Sequence, residues 1–154
     1  EALAILDKSE KEGLVLQPSN EQEPQFVCAC CGCCCGILEM MRLMPRPADF
    51  AASNFHAVLD TEECTGCGVC ARRCQMNAIS IKDKKAHLDV ARCIGCGLCV
   101  TTCKPKAIKL VKKEKQTVPP RTTEDLYDTI MAGKKSLPGK LLEMTKASMG
   151  IKKR

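Results

Sequence analysis

The chain has no Trp, one Tyr and three Phe. Large rings normally supply much of a core's buried area, so a purely hydrophobic core would be thin and some other cross-link is needed. His56 and His87 are the only histidines. His87 falls on an expected strand and His56 just before one, where both read as surface or half-buried side chains rather than ligands. No uncharged run approaches the roughly 18 to 20 apolar residues of a membrane span, and the basic-then-apolar layout of a signal peptide is missing. The expectation is a cytoplasmic chain with no integral membrane segment. It opens Glu1-Ala2 without Met, which suggests processing or an upstream domain. No P-loop, dinucleotide fingerprint or nucleophile triad is present.

Cysteine is what the sequence has in excess, 14 in 154 residues. Such density signals either a disulfide scaffold or a metal protein, and spacing must decide. Charge is also unevenly placed. Residues 1 to 103 carry 10 Lys+Arg against 13 Asp+Glu, net −3, and residues 104 to 154 carry 14 against 5, net +9. The basic character therefore belongs to the tail, which reads as a solvated surface or as a dock for an acidic redox partner. Nucleic acid is disfavoured because Tyr127 is the only aromatic in that tail available for stacking.

At an offset of 29 residues, AVLDTEECTGCGVCARRCQMNAISI (57 to 81) superposes on AHLDVARCIGCGLCVTTCKPKAIKL (86 to 110), with 11 of 25 positions identical. Each repeat opens with a short alternating segment, Ala57 to Asp60 and Ala86 to Asp89. Each closes with another, Ala78 to Ile81 and Ala107 to Val111, and all four read as strands. About one helical turn lies between. Lys82 to Lys85 suits a turn between paired strands.

The repeats contain Cys64-x2-Cys67-x2-Cys70-x3-Cys74 and Cys93-x2-Cys96-x2-Cys99-x3-Cys103. Three thiolates spaced by two residues wrap one face of an iron–sulfur cube, and the fourth points away toward another cluster. Duplication answers that need. Cys103 completes the set Cys64, Cys67, Cys70, and Cys74 completes the set Cys93, Cys96, Cys99. Gly66, Gly68, Gly95 and Gly97 let the backbone approach closely and free N–H groups for the sulfurs. Zinc sites use paired C-x2-C spacings instead.

This spacing resembles the bacterial two-cluster 4Fe–4S ferredoxins over Ala57 to Val111. Members of that family usually have Pro directly after the fourth Cys. Here Gln75 and Lys104 stand there, with a Pro displaced to Pro105, a departure that bears on the local turn and on sulfur hydrogen bonding. The resemblance implies an α+β class, a ferredoxin-like duplicated β-α-β dicluster fold with helical N- and C-terminal extensions, two 4Fe–4S clusters, and one-electron transfer by each.

The stretch CACCGCCCG holds Cys28, Cys30, Cys31, Cys33, Cys34 and Cys35. Cys28, Cys31 and Cys34 repeat the ferredoxin register, while Cys30 and Cys33 form a second C-x2-C pair. A third iron–sulfur cluster is the leading reading, zinc the second, and metal-free redox-labile thiols, vicinal disulfides included, the third. Similar Cys-dense segments precede two-cluster ferredoxins in larger iron–sulfur proteins of anaerobic metabolism, which this arrangement resembles.

The expected organisation is a helix and linker at 1–27, the Cys-rich motif and a helix at 28–56, the ferredoxin domain at 57–111 and a basic helical tail at 112–154. The first helix, ended by Gly13, is expected to turn Leu3, Ile5 and Leu6 inward. The helix after the cysteines is expected to bury Ile37, Met40, Met41 and Met44. Another should start at Thr122 or Thr123 and stop at Gly133, with a short basic helix beyond it over Leu141 to Ser148. The functional expectation is an iron–sulfur electron carrier or oxidoreductase subunit rather than a stand-alone enzyme. The alternatives are a reductase whose Cys28–Cys35 centre acts on a substrate or disulfide, and a redox or iron sensor.

Overall fold

A computed structural model describes residues 1–134; the helix expected over Leu141 to Ser148 lies outside them. The described chain divides into two compact units, one of Glu1–Ser19 with Pro24–Val118 and the other of Asn20–Glu23 with the described residues from Pro119 onward. The segments expected as 1–27, 28–56 and 57–111 thus fall almost wholly within the first unit.

That unit mixes helices with three two-stranded antiparallel sheets, an α+β architecture. Helix α1 (Ala2–Lys11) leads into the hairpin β1 (Val15–Pro18) and β2 (Val27–Cys30), then α2 (Gly36–Leu43). The first repeat supplies β3 (Phe55–Leu59), α3 (Val69–Arg73) and β4 (Ile79–Lys82). The second supplies β5 (Lys85–Leu88), α4 (Leu98–Thr101) and β6 (Ile108–Lys112). Strands pair across the repeats, β3 with β6 from Phe55↔Lys112 to Leu59↔Ile108, and β4 with β5 from Ile79↔Leu88 to Lys82↔Lys85. Asp83 and Lys84, both at positive φ, make the tight turn whose twist suits a two-residue hairpin. All four expected strands exist, displaced by one or two residues at their ends.

The core is small and built from small side chains. Ala57, Ala86, Ala107 and Ile108 are at most 3% exposed, and Leu38 and Met76 are the largest apolar residues fully buried. Burying a Leu contributes on the order of 1.5–3 kcal/mol, so few such residues give limited support. Arginines fasten the helices to this core. The Arg73 guanidinium donates to Glu10 O, Lys11 O and Leu98 O, satisfying carbonyls at the end of α1. Arg92 does the same for α2, donating to Arg42 O and Met44 O as well as to Met76 O.

This capping corrects the expected helix faces. Leu3 and Ile5 of α1 are exposed, whereas Ser9 is buried; the helix is held by its C-terminal end, not by its apolar first turn. In α2 the inward face is Leu38 and Met41, while Ile37 and Met40 are about half exposed. The hairpin β1–β2 has no counterpart among the strands expected from the sequence, because Pro18 to Pro24 reads as a plain linker.

In the second unit, α5 (Thr123–Ala132) starts where expected, with Thr122 Oγ1 accepting from Asp125 N–H and Gly133 at its end. Gln22 joins this unit through its N–H to Pro120 O and its Nε2 to Pro119 O. Thr123 Oγ1 donates to Glu21 Oε2 at 2.7 Å.

Candidate metal centre

Two cavities lie between the repeats. One is lined by Cys93, Cys96 and Cys99 from the second repeat and Cys74 from the first. The other is lined by Cys64, Cys67 and Cys70 from the first repeat and Cys103 from the second. The remaining walls are mainly small or apolar, with Ala57, Ala78 and Leu110 around one and Ala86, Ala107 and Ile108 around the other.

Backbone N–H groups are aimed at these sulfurs. Ala78 N–H donates to Cys74 Sγ at 3.2 Å, and Gly66 N–H to Cys64 Sγ at 3.4 Å. After each fourth cysteine the chain turns through a left-handed residue, Asn77 or Lys106, whose N–H bonds back to Cys74 O or Cys103 O. The turn therefore closes without Pro directly after the cysteine. Gly66 and Gly95, at φ +69 and +71, stand where a Cβ would collide with the backbone carbonyls of Lys84 and Phe55. Glycine is required at both.

The thiols differ in acidity. Burial, with the neighbouring Cys96, Cys93 and Cys74, pushes Cys99 up to about 12. Burial likewise raises Cys70 and Cys96, the latter an exposed residue whose thiol is nevertheless desolvated. The Val69 N–H, with smaller help from Arg72, holds Cys67 below the ordinary thiol range. Clustered desolvated thiols resist ionising on their own, and bound metal cations reverse that preference. Two largely apolar, four-cysteine cavities with N–H donors suit an iron–sulfur group.

The six N-terminal cysteines divide differently from the expected C-x2-C sets. Cys28 and Cys30 alternate on β2 and so share a face. Cys35 caps α2, where the Leu38 N–H lowers its thiol, and it hydrogen-bonds Cys30, which burial raises. Cys31, Cys33 and Cys34 occupy the turn, their sulfurs all within 4.8 Å of one another. Cys31 and Cys33 are joined in a disulfide, and Cys34 Sγ lies 3.3 Å from Cys31 Sγ. The sulfurs gathered within 4.8 Å are thus those of Cys31, Cys33 and Cys34, in the turn at residues 32–34 that follows the end of β2 at Cys30.

Sequence reasoning missed the residue that fastens this loop. Gln75, directly after Cys74, accepts from Gly32 N–H at 2.8 Å and donates to Gly13 O at 2.9 Å. Its presence in place of Pro was the available signal. His56 is half-buried on β3 and His87 exposed on β5.

The two cysteine-lined cavities suit an iron–sulfur, ferredoxin-like domain with an electron-transfer role. Residues 56–104 match the family model described as a 4Fe-4S dicluster domain, which accounts for iron–sulfur cluster binding in this part of the chain. No relative among curated proteins matches the sequence. Among the described residues, no helix is long and apolar enough to cross a membrane.

Proposed function

We propose that residues 57–111 hold two 4Fe–4S clusters and pass single electrons between a donor and an acceptor protein. Cys64, Cys67, Cys70 and Cys103 would ligate one cluster, and Cys93, Cys96, Cys99 and Cys74 the other. The observation that carries this reading is the composition of the two cavities, each lined by a triplet from one repeat and a fourth cysteine from the other.

When bound, each cluster supplies a one-electron redox couple. The chain excludes water through its apolar cavity walls, donates N–H hydrogen bonds to the cysteine sulfurs, and offers docking charge. Residues 104 to 154, at net +9, suit an acidic redox partner, since opposite fields steer encounter. The cytoplasm is the compartment proposed. The third site at Cys28–Cys35 belongs to the same proposal, as a thiolate centre apart from both cavities.

Anaerobic analysis of the full chain should find about eight irons and eight acid-labile sulfides in the cavities. Cys67→Ser should remove the EPR signal of one cluster and leave most of the other. Intact signals from both would refute the ligand assignment.

A second reading is favoured by the Cys31–Cys33 disulfide beside the free thiol of Cys34. There the N-terminal cysteines would be a thiol reductase centre. It predicts turnover of a small disulfide substrate that Cys34→Ser abolishes. A redox or iron sensor would instead bind a macromolecular partner differently in its apo and holo forms.

A further inference from the structure

We propose that Cys31, Cys33 and Cys34 form a redox-gated site for one zinc-class divalent ion, closed by the Cys31–Cys33 disulfide and opened by its reduction. This deepens the third-site part of the reading above and rests on it, but needs neither cluster in the repeats.

Three sulfurs within 4.8 Å of one another are already gathered, yet two of them are spent on a bond to each other. A disulfide sulfur is a poor ligand; a thiolate is a strong one, selective for zinc-class ions over Mg²⁺ or Ca²⁺. Cys33 and Cys34 are exposed, so both a reductant and an ion have access. Reduction would leave the ligands in place because the loop is held by its middle residue. Gly32 is buried and its N–H is bonded to Gln75 Oε1. Arg42 Nη1 and Gln75 Oε1 each lie 3.0 Å from where a Cβ at residue 32 would stand. The Arg42 charge beside the loop offsets part of the charge that three thiolates bring.

The chemistry balances without any group in the cavities. A dithiol reductant gives two electrons and two protons to the Cys31–Cys33 bond, which becomes two thiols while the reductant closes its own disulfide. Zn²⁺ binding then displaces three protons from three thiols, leaving its fourth position to water or an incoming ligand.

The test uses the full chain under anaerobic conditions, either oxidised or reduced with a dithiol and desalted. Each form is titrated with Zn²⁺ against a chromogenic chelator, and iron and sulfide are counted alongside. The reduced chain should take up one Zn²⁺ at least tenfold more tightly, with a sulfur-dominated X-ray absorption shell at about 2.3 Å. Cys34→Ser, which leaves the disulfide intact but removes the third ligand, should weaken uptake by the reduced chain and narrow the difference between the two states. Equal uptake in both states would overturn the proposal, as would uptake surviving in Cys31→Ser/Cys33→Ser/Cys34→Ser, or extra iron and sulfide in place of zinc. Low iron with normal gated zinc uptake would count against the two-cluster reading alone.

Discussion

The backbone N–H of Ala57 donates to Cys93 Sγ at 3.4 Å, and the N–H of Ala86, 29 residues further on, donates to Cys64 Sγ at the same distance. Both alanines are 1% exposed, so each bond is shielded from water. A donor aimed at a ligand sulfur favours the more negative, reduced state of a cluster. Replacing the Ala57 amide by an ester removes that donor without changing the side chain. One of the two reduction potentials should fall by an amount on the order of tens of millivolts, with the other unmoved in protein-film voltammetry.

The ligand exchange between repeats proposed above makes a further prediction. Cys103→Ser should remove the same EPR signal as Cys67→Ser, and Cys74→Ser the same signal as Cys96→Ser. If Cys74→Ser grouped with Cys67→Ser, each repeat would be ligating within itself.

Gly66→Ala places a Cβ against the Lys84 carbonyl at a left-handed backbone position. The left-handed conformation alone costs about 1–2 kcal/mol, and backbone cannot move aside as a flexible side chain does. The variant should lose at least about 2 kcal/mol of stability and reconstitute with fewer irons, whereas Gly36→Ala, where a Cβ meets nothing, should behave as the parent in denaturant titration.

Acidity orders the thiols of the apo chain. Cys67 is exposed and shifted down, so more of it is thiolate near neutral pH; Cys99 is buried and lies at about 12, so almost none of it is. Thiolate is the form that alkylates. Timed iodoacetamide labelling read by peptide mass spectrometry should modify Cys67 before Cys99. Raising the pH from 7 to 9 should speed Cys99 more, in proportion, because Cys67 is already nearer full ionisation.

Removing Arg73 tests the helix docking. Its guanidinium ties the end of α1 to the α3–α4 region, with Thr101 Oγ1 on Glu10 Oε1 and the Gln75 bond to Gly13 as smaller supports. Hydrogen bonds to a charged group contribute about 1.5–3 kcal/mol. Arg73→Ala should release α1 to proteolysis at Lys8 or Lys11 while the iron content stays unchanged.

These contacts also mark where sequence reading stops. The strands, their turn and the grouping of eight cysteines around two cavities were legible because cysteine spacing and the 29-residue repeat are local, in-register signals. Thr122 and Gly133 bounded α5 for the same reason. The faces of α1 and α2 were not legible, since Arg73 and Arg92 choose them from more than 40 positions away through carbonyls that every residue type carries. Periodicity ranked Leu3, Ile5 and Ile37 by apolarity and could not register that capping outweighs it. Within CACCGCCC, spacing suggested Cys28, Cys31 and Cys34 as one set. The sulfurs found within 4.8 Å of one another are those of Cys31, Cys33 and Cys34, a set that C-x2-C spacing does not single out.

The crossed strand pairing has a consequence for ancestry. A peptide carrying only one repeat would have two strands without partners, since β3 needs β6 and β4 needs β5. Two identical copies related by a two-fold axis would satisfy each other's edges in the same pattern. The two-residue link Asp83-Lys84 is then all that separates a symmetric homodimer of half-length chains from this molecule.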